Sequence, residues 1–365
     1  MWYLDNAATS YPKSRAVLRA AREAEVRFGG NPSRGGHRMT RALDEALFRV
    51  RETAAVLFDA APERVVFTSG ATHALNLALF GLCEPGEVLV SPMEHNATRR
   101  PLCALRERGV RMVRAPGLSA ADFESALTPQ TRLLCTAAMT NTTGALLDVA
   151  ALGALCRRRG LLFVVDAAQG GGLMDLKVDS FGISALCLAG HKALGGLRGC
   201  GLLILGKDVC PRPLLWGGSG IRSREEGMPP ELPERLEAGT LPVAPLLALG
   251  EGLRACEAEG AAARREKERA LAEEAFSGLL SLPGYELYGG PPQSGLLLLN
   301  RRGRPSEETA ALLDEAGIAV RAGLHCAPDA HAFLRTPPTG AVRVSFGAGN
   351  RRKDVKKLLR TLKNF

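Results

Sequence analysis

A lysine stands at the end of an apolar run, where an amine can do chemistry. The run from Ala185 to Ala189 is typical of a buried strand, and it leads directly into Gly190, His191 and Lys192. Burial disfavours an ammonium, lowers the pKa of a lysine and makes its amine a usable nucleophile toward a carbonyl, as in a Schiff base. A lysine whose head group reaches solvent from the strand end is the simpler alternative.

Two further apolar runs end in residues that could hold a charged ligand. The segment Thr68–Thr72 opens a predicted helix, whose free N–H groups and hydroxyls suit an anion, although Ser69 or Thr72 would equally serve as an ordinary helix cap. Asp166 directly follows the run Leu161 to Val165. A carboxylate there needs a partner, and a protonated pyridine nitrogen or a structural arginine would each supply one.

His95 and Asn141 follow two other predicted strands. His95 is either a satisfied core histidine or a ring that lies on a flat cofactor. Ligands of open α/β sheets bind at the carboxyl ends of the strands, so five such ends outline one pocket. A Schiff-base lysine, an acid for a pyridinium nitrogen and a cradle for a phosphate together describe pyridoxal 5′-phosphate, which the sequence therefore predicts as cofactor.

The elements that must position these residues predict an α/β fold. From Arg64 onward, short apolar runs alternate with helical patterns, which specifies a mostly parallel central sheet flanked by helices. Strands are predicted at 65–67, 88–90, 133–138, 161–165, 185–189 and 202–205. We expect a large domain over residues 14–249 and a smaller α+β domain formed by residues 1–13 together with 250–365.

Outside the central sheet, the pattern predicts several helices and one irregular stretch. Ser14 is expected to cap a helix that ends near Phe28, and a second helix begins near Thr40. Residues 206–242, rich in glycine, proline and charge, predict an ordered but irregular excursion. A helical pattern runs from Val243 to about Leu280, and a strand is expected from Ile318 to Arg321.

The composition, 46% hydrophobic and 23% charged residues, is that of an ordinary globular enzyme. No apolar run approaches the length of a membrane span, and the first residues do not resemble a secretion signal, so a cytoplasmic location is expected. The nine cysteines form no C-x-x-C pair. We therefore interpret most of them as small buried hydrophobic residues in a reducing compartment, without a disulfide framework or a metal site.

The net charge of +9 raises the question of nucleic-acid binding. Much of that charge lies in the last residues, from Asn350 to Phe365, where Val355, Leu358 and Leu362 have helical spacing. The tail is therefore predicted to be an amphipathic helix with a basic outer face, either simply solvated or open to an acidic partner, and nucleic acid is not expected as a ligand.

Seven motifs in order give the chain a family resemblance. It resembles the cysteine desulfurases within the class V aminotransferase superfamily (fold type I), in the branch shared with selenocysteine lyases. The motifs are Tyr3-Leu4-Asp5-Asn6-Ala7-Ala8-Thr9, Asn31-Pro32-Ser33, Glu94-His95-Asn96, Asp166-Ala167-Ala168-Gln169, Gly190-His191-Lys192, Glu237-Ala238-Gly239-Thr240 and Arg321-Ala322-Gly323-Leu324-His325-Cys326-Ala327. The fold implied is that of a pyridoxal-phosphate-dependent transferase.

The resemblance implies a role for each matching residue. Lys192 would hold the cofactor and shuttle protons, Asp166 would pair with the pyridinium nitrogen, Gln169 would bind the phenolic oxygen, and His95 would stack on the ring. The phosphate would be held by Ala71, Thr72 and His191, and by Thr240 from the neighbouring subunit of a homodimer. Arg343 would bind the substrate carboxylate as a bidentate fork, helped by Asn141, and Arg321 would be a further substrate contact.

Cys326 would be the decisive residue, attacking the sulfur of L-cysteine and keeping it as a persulfide while alanine leaves, with His325 and Arg321 favouring the thiolate. A sulfur-acceptor protein would then take the sulfur. A selenocysteine lyase acting on L-selenocysteine, an aminotransferase, and a non-enzymatic scaffold that kept the fold remain alternatives. Two departures stand out: Ala189 replaces a family serine that binds the phosphate, and Leu324 replaces a histidine found in some members.

Overall fold

A computed structural model describes residues 1–365 and contains thirteen strands and twelve α-helices. The strands are β1 (Trp2–Tyr3), β2 (Val65–Thr68), β3 (Gly86–Val90), β4 (Val110–Arg114), β5 (Thr131–Ala137), β6 (Leu162–Asp166), β7 (Ala185–Ala189), β8 (Gly201–Leu205), β9 (Tyr285–Tyr288), β10 (Leu296–Arg301), β11 (Ile318–Ala319), β12 (Arg321–Gly323) and β13 (Ala341–Ser345). The helices are α1 (Arg15–Arg27), α2 (Arg38–Phe58), α3 (Ala71–Leu82), α4 (Asn96–Ala104), α5 (Ala120–Ser125), α6 (Val149–Arg159), α7 (Val178–Phe181), α8 (Val243–Glu259), α9 (Ala261–Leu280), α10 (Ser306–Glu315), α11 (Pro328–Phe333) and α12 (Arg352–Lys363).

The central sheet has seven strands in the order β2-β8-β7-β6-β5-β3-β4. The pairs from β7 to β4 are parallel, whereas β8 runs antiparallel to both β7 and β2. The connection from β7 to β8 is short and has no helix, so it cannot make the crossover that a parallel pair requires. The predicted mostly parallel α/β sheet is confirmed, and this short connection carries Lys192.

Alternate residues of the central strands enter two cores, one on each face of the sheet. Val165 and Leu186 pack on the face covered by α2, α6 and α8, whereas Val164 and Cys187 pack on the face covered by α3 and α4. This alternation explains why the strands read as continuous apolar runs in the sequence, since both of their faces are buried.

A second, antiparallel sheet of order β12-β13-β10-β9 forms the C-terminal part of the molecule. Its core includes Leu271 from α9, Leu358 from α12, and Leu4 from the N-terminal segment. β1 pairs in parallel with β11, and Asp5 bridges to Ser345, so the N-terminus is attached to this part of the fold.

The predicted division into 14–249 and 1–13 plus 250–365 stays a prediction, and α8 lies across its boundary. Leu246, Leu253 and Cys256 of this helix are all buried in the core of the central sheet. The predicted helical stretch from Val243 to Leu280 is in fact two helices, broken at Gly260, whose φ of +77° suits glycine. The predicted strand from Ile318 to Arg321 is likewise two short strands that belong to different sheets.

Several local predictions are confirmed. Ser14 caps α1, residues 206–242 contain no regular helix or strand, and the basic tail forms α12 with Val355, Leu358 and Leu362 buried. No helix combines the length and apolar composition that crossing a membrane would require.

Candidate active site

A cavity of about 230 Å³ lies where the carboxyl ends of β6 and β7 meet the start of α3. Eight of the predicted site residues line it, namely Ala71, Thr72, His95, Asn141, Asp166, Gln169, His191 and Lys192. The sheet topology therefore brings together residues separated by more than a hundred positions, as the rule for open α/β sheets anticipates.

The amine of Lys192 and the carboxylate of Asp166 are the two central charges of this cavity. Burial lowers the pKa of Lys192 to about 8, with Arg343 and Arg321 lowering it further and Asp166 and Cys326 opposing them. Asp166 is 5% exposed, and its Oδ1 accepts the N–H of Ala168 at 2.9 Å. A buried amine with a depressed pKa is available as a neutral nucleophile near physiological pH.

The turn that carries Lys192 is held on both sides. A Cβ at Gly190 would lie 2.7 Å from Sγ of Cys200, so only glycine fits the start of the turn. The carbonyl oxygen of His191 accepts the backbone N–H of Ser10 at 3.1 Å and Nζ of Lys13 at 2.8 Å. The N-terminal segment thus fixes the position of Lys192.

The start of α3 is open to an anion. Gly70 is its N-cap, with φ +149°, and no side chain caps the helix, so the alternative of an ordinary cap at Ser69 or Thr72 is wrong. The first-turn N–H groups of a helix attract negative charge when no side chain satisfies them. Nδ1 of His191, which faces the same cavity, is buried and has no hydrogen-bond partner.

His73 is a cavity residue that the sequence analysis did not identify. It stands three residues after Gly70, and its Nδ1 accepts the backbone N–H of Ser69 at 3.2 Å. Its Nε2 is buried without a partner. The signal was present in the sequence, because the third residue of a helix is well placed to turn back to the helix start. Ala189 also lines the cavity, and Ser69 lies nearby on its wall.

His95 is the N-cap of α4. Its Nδ1 accepts the N–H of Ala97 at 3.0 Å, which leaves the proton of the neutral ring on Nε2. Burial lowers the pKa of His95, so the ring is uncharged at neutral pH. Gln169 is buried, and its Nε2 donates to the carbonyl oxygen of Ala7 at 2.9 Å.

Glu94, the residue before His95, lies behind this cavity without lining it. Its Oε1 accepts the hydroxyls of Ser91 and Thr136 and the N–H of Ala137, so it joins β5 to the loop after β3. Burial raises the pKa of Glu94 to about 7. The residue fixes the loop that presents His95.

Arg343 is 1% exposed in β13 and lies beside the cavity without lining it. Its Nη1 donates to the carbonyl oxygen of Asn141 at 2.8 Å and its Nη2 donates to Asp5 at 3.0 Å. Nε of Arg343 and Oδ1 of Asn141 are both buried without a partner. A buried guanidinium with an unused donor is suited to a small carboxylate ligand.

Cys326 is exposed, and Nη2 of Arg321 donates to its Sγ at 3.4 Å. His325 and Cys326 both have positive φ, +52° and +57°, which turns the backbone sharply at this point. The expectation that His325 favours a thiolate is wrong, because burial lowers the pKa of His325 to about 3 and its ring bonds to His331 and to the carbonyl oxygen of Arg321. Arg321 remains as the cationic neighbour, and Leu324 is exposed.

Thr240 is exposed and does not line the cavity of its own chain. It follows Glu237, whose carboxylate accepts both Nη atoms of Arg51, at 2.9 and 2.8 Å. The two side chains are 6% and 9% exposed. This buried fork ties the irregular 206–242 segment to α2.

Comparisons with known proteins show the family of the chain. Residues 2–358 match the model of the class-V aminotransferase family. The fold and the match together make the chain a member of that family. A probable cysteine desulfurase from Methanothermobacter thermautotrophicus is 34% identical over 378 residues, covering 99% of this chain and 93% of the relative.

Two solved structures are also similar. A cysteine desulfurase from Thermococcus onnurineus has a TM-score of 0.91 at 28% identity, and the cysteine desulfurase CsdA from Escherichia coli has a TM-score of 0.88 at 29% identity. Each comparison covers 99% of this chain and 94% of the other. Within the class-V family the chain belongs to the cysteine desulfurases, so the predicted family, fold and enzyme class are confirmed.

Proposed function

We propose that the protein is a pyridoxal 5′-phosphate-dependent cysteine desulfurase that moves the sulfur of L-cysteine to Cys326 and releases L-alanine. One observation carries the proposal most directly. The exposed thiol of Cys326 lies beside Arg321, and both belong to the electrostatic surroundings of the buried amine of Lys192. An amine nucleophile and a thiol that share one environment suit sulfur transfer better than transamination, which does not need the thiol.

The residues present fit the cofactor. The uncapped start of α3 and the unpartnered Nδ1 of His191 suit its phosphate, Asp166 suits its ring nitrogen, and Lys192 suits its aldehyde carbon. His95 and Gln169 would contact the ring and its phenolic oxygen. When bound, pyridoxal 5′-phosphate supplies an electron sink that stabilises negative charge at the substrate Cα.

The chain's own residues would do the remaining work. Arg343 would bind the α-carboxylate through its free donor, with Asn141 beside it, and the neutral amine of Lys192 would accept the proton from Cα. The Cys326 thiolate would attack the substrate sulfur, so that an S–S bond forms while the Cβ–S bond breaks. Returning a proton to Cβ gives alanine, and the reaction balances as L-cysteine plus the Cys326 thiol to L-alanine plus the Cys326 persulfide.

The proposed assembly is a homodimer in which Thr240 reaches the phosphate site of the neighbouring subunit. Its exposure, and its position on a segment anchored by the buried Arg51–Glu237 pair, support this arrangement. The proposed location is the cytoplasm, where reducing conditions keep Cys326 a thiol. The proposed product is passed to a sulfur-acceptor protein.

Mass spectrometry of the enzyme after incubation with L-cysteine tests the proposal. One additional sulfur on the Cys326 peptide, with alanine formed in step with it, is expected. Cys326→Ala should abolish both, whereas Cys103→Ala, which changes another exposed cysteine, should change neither. Alanine formation that survives Cys326→Ala would favour an aminotransferase or another class-V activity. A large preference of the enzyme for L-selenocysteine would favour a selenocysteine lyase.

A further inference from the structure

Two histidines lie edge to edge in a buried site directly behind Cys326. His325, which precedes the cysteine, and His331, on α11, are each 2% exposed. Their ring centroids lie 5.3 Å apart with the planes inclined by 17°, and Nδ1 of His325 is 3.1 Å from Nε2 of His331. The desulfurase chemistry proposed above uses neither ring.

The partners of this pair fix where every proton lies. Nε2 of His325 faces the carbonyl oxygen of Arg321 at 3.2 Å, and a carbonyl only accepts, so this nitrogen carries a hydrogen. Burial lowers the pKa of both rings, which keeps them neutral. Nδ1 of His325 is therefore an acceptor, Nε2 of His331 donates to it, and Nδ1 of His331 accepts the hydroxyl of Thr336 at 2.8 Å. The result is one directed chain from Thr336 to Arg321.

This chain of hydrogen bonds supports a strained backbone conformation at His325 and Cys326. His325 and Cys326 are both in the left-handed region, which costs roughly 1–2 kcal/mol for each residue other than glycine. The carbonyl oxygen of His325 accepts Nδ2 of Asn141 at 2.7 Å, and that of Cys326 accepts the N–H of Asn96 at 2.7 Å. The ring of His325 is the third attachment of the turn, and it also binds the backbone of Arg321, whose guanidinium contacts Sγ.

We infer that His331 is a positioning residue for sulfur transfer: by donating to His325 it holds the strained turn that presents the Cys326 thiol beside Arg321. His331 itself touches neither the thiol nor the cavity, so it acts only through His325. The inference rests on the proposed function for its catalytic readout. The position and reactivity of the Cys326 thiol can be measured without turnover.

The matched variants are His331→Leu, which removes both hydrogen bonds, and His331→Gln, whose amide can donate to His325 and accept from Thr336. We expect His331→Leu to lower the rate of Cys326 persulfide formation in a single turnover by about 10- to 100-fold, the range typical for loss of a supporting residue around a reactive centre. KM for L-cysteine and the cofactor absorbance should stay within about twofold of wild type, because the cavity is unchanged. His331→Gln should recover most of the rate.

Alkylation of Cys326 by iodoacetamide in the holoenzyme, followed on its peptide, provides the independent readout. With the turn loosened, the thiol loses its guanidinium neighbour, so alkylation at pH 7.5 should slow about threefold or more in His331→Leu, while alkylation of Cys103 stays unchanged. Where His331→Leu does not fold, Thr336→Val, which removes only the last donor, should give a smaller loss of the same kind.

Two results would overturn the inference. One is wild-type alkylation and persulfide formation in folded His331→Leu, or in Thr336→Val where it is the variant that folds. The other is an equal loss of alkylation and persulfide formation in His331→Leu and His331→Gln, in proportion to the fraction of protein that is unfolded. That result would mean that His331 contributes only to packing. A wild-type enzyme that forms no alanine from L-cysteine would refute the proposed function, and the alkylation comparison would still decide the role of His331.

Discussion

The guanidinium of Arg343 donates to the carboxylate of Asp5 at 3.0 Å, so the N-terminal segment after β1 positions the arginine beside the active site. Asp5 pairs with Ser345, which lies two residues after Arg343 on β13, and this pairing brings the carboxylate next to the guanidinium. Burial lowers the pKa of Arg343 and Asp5 opposes that effect, so the carboxylate keeps a buried guanidinium charged. This contact gives the Leu4-Asp5-Asn6 motif a physical role.

Arg343→Lys should weaken substrate binding more than it slows the chemistry. A lysine keeps the charge but cannot hold Asn141 and Asp5 with two donors while a third, Nε in the arginine, stays free for the carboxylate. We expect KM for L-cysteine to rise about 100-fold and kcat to fall by less than about tenfold, measured by alanine formation.

The control is Arg302→Lys, since Arg302 is largely exposed and pairs only with Glu286. It should leave both constants unchanged. A fall in kcat with an unchanged KM in Arg343→Lys would contradict a role in carboxylate binding.

Glu237→Gln should destabilise the protein and loosen the 206–242 segment. It leaves the buried Arg51 guanidinium without its carboxylate, and breaking a buried ion pair typically costs about 3–5 kcal/mol. The measurement is urea denaturation, together with sedimentation to follow the proposed dimer, which should dissociate more readily because Thr240 lies on this segment.

The matched control is Glu231→Gln, which breaks an exposed pair with Arg222 in the same segment. An exposed pair contributes less than about 1 kcal/mol, so stability and assembly should hardly change. Equal effects of the two substitutions would show that the buried Arg51–Glu237 pair contributes no more to stability or assembly than an exposed pair.

Much of the site was predictable because polar residues that follow apolar runs lie at the carboxyl ends of strands, where an open α/β sheet binds its ligands. An apolar run followed by a polar residue predicted the placement of Asp166 and Lys192, since strand ends of an open sheet converge. The charged state of His325 was not predictable in this way. Its neighbour in sequence is Cys326, but two residues with positive φ turn its ring away from the thiol and into contact with His331.

The six-residue helix α11 was missed. It is too short for an apolar period to appear, so periodicity gave no signal for it. Its position is instead defined by tertiary contacts. Arg99 of α4 binds Asp329 of α11 at 2.8 Å, and Asn96 binds the carbonyl oxygen of Cys326, which no local pattern encodes.

The rate at which the cofactor-free enzyme reacts with pyridoxal 5′-phosphate should depend on pH, with a midpoint near the pKa of Lys192. The neutral amine is the nucleophile, and burial lowers the pKa of Lys192 to about 8. In cofactor-free enzyme mixed with pyridoxal 5′-phosphate, the rate of growth of the band near ~420 nm should rise about tenfold per pH unit below 8 and level off above it.

Lys192→Ala should give no such band, and this absence would exclude nonspecific capture. A rate that keeps rising through pH 10 would show that the amine of Lys192 titrates like an exposed lysine. A protein in which neither form develops a band would be a scaffold without cofactor chemistry.

Glu94→Gln should change how stability depends on pH. Burial raises the pKa of Glu94 to about 7, from about 4.5 in the unfolded chain, so the folded protein binds a proton more tightly between these values. The stability that this group contributes is present below pH 4.5 and is lost as the pH rises through 7. A shift of this size corresponds to a few kcal/mol, on the order of 3.

Glutamine keeps an oxygen for the Ser91 and Thr136 hydroxyls and for the N–H of Ala137 but does not titrate. The free energy of unfolding of Glu94→Gln, measured in urea from pH 5 to 8.5, should therefore gain on that of wild type as the pH rises, and the gain should stop above pH 8. Parallel curves over this range would mean that Glu94 is already ionised in the folded protein, with its charge stabilised by the three donors that meet Oε1.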